Sequence, residues 1–270
     1  MMHRFLYLLL LPFCLSAQIV NITSMTELPA LLESKDADET LLVFDIDQTL
    51  VMFTEPAFQR PNYAQHRNFF RSFPEMRDPF FMDMLSYHMI ADGAFITVEP
   101  CTATVVNELQ ELGYLSLALT ASLANNPVTI VDMDERRAEH LQRLGISFAS
   151  AFAEHGPITF DEFAPHFEGH PTFKHGILIS NGHSTPKSQV LLAFLDRVQH
   201  APKRVVFVED THENLIEMQV ALAETGIDYL GVHYTGANHF AAEEISAEAL
   251  QARWMQLYEE TRRSLEAHQI

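Results

Sequence analysis

Four short apolar runs, with segments of helical spacing among them, most constrain this chain. They are Leu41–Phe44, "YLSLALT" (114–120), "RVVFVED" (204–210) and "YLGVHYT" (229–235). Each is strand length and apolar almost throughout, as expected of a strand buried on both faces. Between and beside them lie "CTATVVNELQELG", "DERRAEHLQRLGI", "SQVLLAFLDRV" and "NLIEMQVALAETGI". Their apolar residues recur at helical spacing, and the first two stop at Gly113 and Gly145. Strands alternating with helices in this way predict an α/β fold, a doubly wound, Rossmann-like parallel sheet covered on both faces.

Other segments break the alternation. Residues 53–97 are rich in Phe and Met and are interrupted by Pro56, Pro61, Pro74 and Pro79. They read as short irregular helices, a small insertion rather than another strand–helix unit. Residues 147–180 alternate apolar and polar stretches, and "ITFDEF" and "HGILIS" read as the strands of a hairpin or flap. "SMTELPALLES" places Glu27 three residues after Ser24, a capping-box pattern that opens a short helix. Residues 246–268 read as a charged amphipathic helix.

The first residues are "MMHRFLYLLLLPFCLSAQ". Arg4, an apolar stretch from Phe5 to Leu15 too short for a membrane span, and the small pair Ser16-Ala17 predict a signal peptide over 1–17. The mature chain, 18–270, would then hold a single cysteine, Cys101, and no internal disulfide. Export without disulfides fits a bacterial periplasmic or secreted protein with no stable membrane span after cleavage. The net charge of −19 argues against nucleic acid or an anionic membrane as a partner. None of the 14 histidines falls in an H-E-x-x-H or a clustered Cys/His pattern, so they read as surface and packing residues.

The chemistry sits where the apolar runs end. In an open α/β sheet, ligands bind at the carboxyl ends of the strands. After the first run come Asp45, Asp47 and Thr49, after the second Thr120 and Ser122, and after the third Glu209 and Asp210. Lys187 stands just ahead of a helix. Lys174 and Lys203 are less suited, since one lies in the flap and the other at the wrong end of a strand. Taken alone, Asp45 and Asp47 also fit a helix cap and a surface acid, and Thr120 fits a hydroxyl bonded to its own backbone.

Together, "DIDQT", "LALT", Lys187 in "STPKSQVLLAFL" and "VFVEDTHEN" resemble the four ordered motifs of the haloacid dehalogenase superfamily, in its phosphatase branch. The resemblance runs from about Leu41 to Thr235. The leader, the "ELQELG" helix and the "VHYT" strand further resemble a poorly characterised group of exported bacterial members. The resemblance implies Mg²⁺-dependent hydrolysis of a small phosphorylated substrate through an aspartyl-phosphate, with residues 53–97 as a helical cap. Asp45 would be the nucleophile and Asp47 the general acid and base. Thr120 would bond the phosphoryl group, and Lys187 would neutralise its charge. Mg²⁺ would take ligands from Asp45, from the backbone carbonyl of Asp47 and from Asp210. Glu209 stands where the family carries Gly or Asp, so it would reach the metal through water or pair with Lys187. Asn214 replaces a later acid.

Asp47 favours phosphoester chemistry over carbon–halogen cleavage, because an alkoxide leaving group needs a proton and halide does not. A phosphotransferase or mutase of the same fold, and a non-catalytic exported binding protein, remain alternatives. Arg60, His66 and Arg71 are among the insertion residues within reach of a substrate, and no motif singles out one of them. The substrate's identity and the oligomeric state are not encoded in any motif.

Overall fold

The computed structural model describes residues 18–32, 34–124 and 132–267. The leader predicted over 1–17 and His268, at the end of the predicted final helix, lie outside the described residues. The chain runs β1 (Gln18–Ile22), β2 (Thr40–Phe44), β3 (Val51–Phe53), α1 (Arg60–Ala64), α2 (Arg67–Arg71), α3 (Pro79–Ala91) and β4 (Phe95–Thr97). It continues through α4 (Thr102–Glu111), β5 (Leu115–Thr120), α5 (Met133–Arg143), β6 (Ile158–Thr159), β7 (Thr172–Lys174), β8 (Ile177–Ile179) and α6 (Lys187–Arg197). It ends with β9 (Arg204–Glu209), α7 (His212–Ala223), β10 (Asp228–Tyr234) and α8 (Ala247–Ala267).

Among the described residues the main sheet has the order β1-β10-β9-β2-β5-β8-β7-β6. It is parallel from β1 to β8 and antiparallel only at the β7 and β6 end. The period of two along β2 divides its side chains between two cores. Leu42 and Phe44 face one that includes Val105, Val106 and Leu109 of α4 and Met133 and Leu141 of α5. Leu41 and Val43 face the other, with Val190, Leu191 and Phe194 of α6 and Leu215, Met218 and Leu222 of α7. The predicted α/β sheet, mostly parallel and covered on both faces, is therefore present.

Two sequence expectations need correction. "HGILIS" is not a flap strand, because β8 pairs parallel with β5 inside the main sheet and is wholly buried. It reaches that place through a two-residue turn, His175-Gly176, with φ of 54° and 73°. A Cβ on Gly176 would lie 1.9 Å from the Phe148 carbonyl oxygen, so only glycine fits there. "ITFDEF" gives a strand of just two residues, Ile158–Thr159. Strand β1, an edge strand parallel to β10, was not foreseen, because its run, QIVNI, is too polar to stand out. The capping box is formed, with Glu27 accepting from the Ser24 N–H at 2.9 Å, but the turn it opens is a 3₁₀ helix.

The insertion expected at 53–97 leaves the core through β3 and returns through β4, which pair antiparallel. Helices α1 to α3 fill the space between. The C-terminal helix α8 closes over them. Trp254 donates to the Ala57 carbonyl at 2.8 Å and packs its ring on Phe58, Tyr63 and Phe70. Tyr258 packs on Phe73 and Phe81.

Candidate active site

Strand β2 lies between β5 and β9, and the chain fills one side of it before crossing to the other. This reversal of strand order leaves a crevice beyond the carboxyl end of β2, the usual ligand position of an open α/β sheet. Asp45 stands at that end. Its backbone N–H bonds the Val208 carbonyl of β9 at 2.9 Å, which fixes where the side chain leaves the sheet. The following turn puts Gln48 in the left-handed region, at φ 63°. A cavity of about 300 Å³ opens here, lined by Asp45, Asp47, Thr120, Lys187, Glu209 and Asp210, with Asn214 beside them. All six predicted site residues thus converge from four separate segments.

Lys187, the first residue of α6, is the hub. Its ammonium donates to Asp45 Oδ1 at 2.5 Å and to Glu209 Oε2 at 2.7 Å, and all three side chains are buried. Glu209 is the Lys187 partner that the sequence allowed. Its other oxygen accepts from the Thr211 N–H at 3.1 Å. Burial and the nearby charge of Glu209 push Asp45 up to about 7, against the pull of Lys187. Burial would lower Lys187, but the charges of Asp45 and Glu209 outweigh it and hold the ammonium protonated. Glu209 and Asp210 are both raised, chiefly by burial. The rejected lysines lie elsewhere, with Lys174 on Asp132 and Glu135 and Lys203 on Glu39.

Asp47 is held from below. Arg137, on α5 and fully buried, donates Nη2 to Asp47 Oδ2 at 2.5 Å. The Thr120 hydroxyl stands 3.5 Å from the same oxygen and 3.0 Å from the Ser122 hydroxyl. Arg60 comes from the insertion and bridges two site residues, donating to Gln48 Oε1 at 2.6 Å and to Asp210. Of the three cap residues named from the sequence, Arg60 bonds two residues that line the cavity, Gln48 and Asp210. His66 precedes α2, and Arg71 lines a separate apolar pocket beside Trp254.

Sequence reasoning missed Arg137. Its signal was the buried face of α5, on which Met133 and Leu141 are joined by the ionisable Asp134, Arg137 and His140. Charged residues on the apolar stripe of a helix mark groups with partners inside. Sequence also missed a group beside the cavity, where Asp83 of α3, which lines it, meets His166 and His183.

The residues suit an oxygen-seeking cation. Carboxylate oxygens of Asp45, Glu209 and Asp210 lie within 4.8 Å of one another. Four acids, with Asp47, face only three cations, Lys187, Arg60 and Arg137. A divalent ion would reverse the sign of that balance, and hard oxygen donors of this kind suit Mg²⁺.

The model of the family described as "Protein of unknown function (DUF2608)" matches residues 21–266, and the chain belongs to that family. No curated protein matches the chain.

Proposed function

We propose that this protein is an exported, Mg²⁺-dependent phosphoester hydrolase of haloacid-dehalogenase type, working through an aspartyl-phosphate on Asp45. What carries the reading is the position of Asp45 at the strand-order reversal, bonded to Lys187 and close to Asp210. An isolated acid at a strand end acquires none of these partners.

An oxygen of Asp45 attacks phosphorus and the bond to the ester oxygen breaks. Asp47, entering the step in its acid form, protonates the departing alkoxide. The carboxylate this leaves takes a proton from the water that attacks the aspartyl-phosphate, which frees Asp45 and restores the acid. Arg137 fixes the direction of the Asp47 carboxylate throughout. Lys187 balances the charge on the transferring group, and the Thr120 hydroxyl offers it a hydrogen bond. Asp45 and Asp210 would hold Mg²⁺, which would supply the positive charge that lets two anions meet.

The test is a panel of phosphoesters with Mg²⁺, run on the wild type and on Asp45→Asn. The variant loses at least about 10⁴-fold in rate. Acid-quenched wild type carries a phosphoryl group on the Asp45 peptide. Full activity in the variant overturns the reading. A competing alcohol that captures the phosphoryl group would redirect it to a transferase. One observation favours a non-catalytic binding protein instead. Arg60 already neutralises Asp210, and that reading gains if no phosphoester is cleaved at any Mg²⁺ concentration.

A further inference from the structure

A second polar cluster, built by three segments distant in sequence, reaches the cavity through one member, Asp83. Asp83 comes from α3 of the insertion, His166 from the loop between β6 and β7, and His183 from the turn after β8. Asp83 Oδ2 lies 2.8 Å from His166 Nε2 and 2.5 Å from His183 Nδ1. The His183 backbone N–H donates to the same oxygen at 3.1 Å. The side chains of His166 and Asp83 are 4% and 15% exposed, while that of His183 is 39% exposed.

The backbone is shaped for this convergence. His166 and Gly169 exchange N–H···O bonds of 2.8 and 3.0 Å around a tight turn. The two residues inside it, Phe167 and Glu168, are both left-handed, with φ of 48° and 62°. Such turns are normally given to Asn and Gly, so a Phe-Glu pair is held there against its own preference. Opposite, Asn181 and Gly182 are also left-handed. The Asn181 side chain donates to the His166 and Gly169 carbonyls, tying the two turns together. A Cβ on Gly182 would come 2.4 Å from Asp83 Oδ2 and 2.9 Å from His166 Cδ2. Phe80, one helical turn before Asp83, packs its ring on both imidazoles.

We infer that Asp83, His166 and His183 form a second metal site, distinct from the carboxylate site, for a borderline-soft divalent cation of the Zn²⁺ class. Two imidazole nitrogens and one carboxylate oxygen, each able to offer a lone pair to one point, make the three-protein-ligand set of an open zinc site. Imidazole donors select against Mg²⁺, which takes oxygen. Both imidazoles bind as neutral tautomers, with the liganding nitrogen free of its proton. The apolar ring of Phe80 covers one side, and the exposed edge of His183 is the path of entry. The cation would clamp the insertion to the core beside the cavity.

The experiment is equilibrium dialysis of the full chain against Zn²⁺ in excess Mg²⁺, with metal content measured afterwards. Wild type and Asp45→Asn each retain one equivalent. His183→Gln, a change at a half-exposed side chain, retains its circular dichroism and loses affinity by at least about 100-fold, since even outer-shell changes cost 10–100-fold. Co²⁺ in place of Zn²⁺ gives the intense visible bands of a low-coordinate site in the wild type and not in His183→Gln. Folded wild type with no retained Zn²⁺ overturns the inference. So does an equivalent that survives His183→Gln or disappears in Asp45→Asn. The readout is metal content, so failure here leaves the phosphoester reading standing.

Discussion

The floor and the wall of the cavity handle charge in different ways. On the floor, ions meet ions. Lys187 lies between Asp45 and Glu209, and Arg137 ends on Asp47. Each pair joins a strand-end acid to a basic side chain from a helix, and breaking one leaves a buried charge alone. In the wall and the hairpin behind it, single acids meet neutral or weakly basic groups. Asp83 faces two histidines, and Asp134 of α5 has the Thr172 hydroxyl of β7, at 2.7 Å, as its hydrogen-bond partner. The floor is therefore fixed by strong mutual pairing, whereas Asp134, bonded to the hairpin, carries a burial penalty that varies with pH.

Asp134→Asn tests that difference with the largest expected effect on stability. Burial pushes Asp134 up to about 6 from the usual 3.8, with Asp132 adding to the rise and Thr172 and Lys174 opposing it. Its acid form is thus favoured by folding. Between about pH 4 and pH 6 the folded protein binds more protons than the unfolded chain. Stability falls as pH rises through that window, and the full penalty stands above it. Asn keeps the acceptor oxygen for Thr172 and carries no charge. The variant therefore gains about 3 kcal/mol over the wild type near pH 8 and little near pH 4. Denaturant midpoints at the two pH values measure it. An equal gain at both would show that Asp134 is no strain on the fold.

On the floor, Arg137→Met removes the partner of Asp47 while keeping an unbranched side chain in its place. General acid–base groups contribute about 10²–10⁴-fold, so a misdirected Asp47 lowers kcat for alkyl phosphates by about 10–100-fold. Aryl phosphates, whose leaving groups need little protonation, lose much less. That split separates a positioning role from mere loss of fold, which would lower both alike.

The same contrast explains what the sequence made legible. Asp45, Asp47, Thr120, Glu209 and Asp210 stand at or just past apolar strands, and Lys187 opens a helix. A strand end is visible in one dimension, and the parallel sheet brings such ends together. Arg137 needed only attention to the buried stripe of α5. The wall gave no such sign. Asp83, His166 and His183 are separated by 83 and 17 residues and converge through left-handed turns at Phe167, Glu168 and Asn181. A Phe-Glu pair in a tight turn runs against residue preference, because tertiary contacts impose it. The hairpin reading of β8 holds, but its place in the main sheet was missed because three residues, Ile177–Ile179, serve both the hairpin with β7 and the ladder with β5.

Arg60 is where wall and floor touch, and its removal has the smallest expected effect. It crosses from the insertion to Gln48 and Asp210, and its side chain is 26% exposed. A pair this open to solvent is worth up to about 1 kcal/mol. If Arg60 competes with the cation for Asp210, Arg60→Ala lowers the half-saturating Mg²⁺ concentration by about 2–5-fold and leaves KM for the phosphoester unchanged. If Arg60 instead swings from Asp210 to the substrate phosphate, KM rises and the Mg²⁺ requirement stays put. Mg²⁺ titrations at saturating substrate, alongside substrate titrations at saturating Mg²⁺, tell the two apart. The first result makes the insertion a guard on the metal site, so that the wall sets when the floor can work. The second makes it the recognition element, so that the wall sets on what.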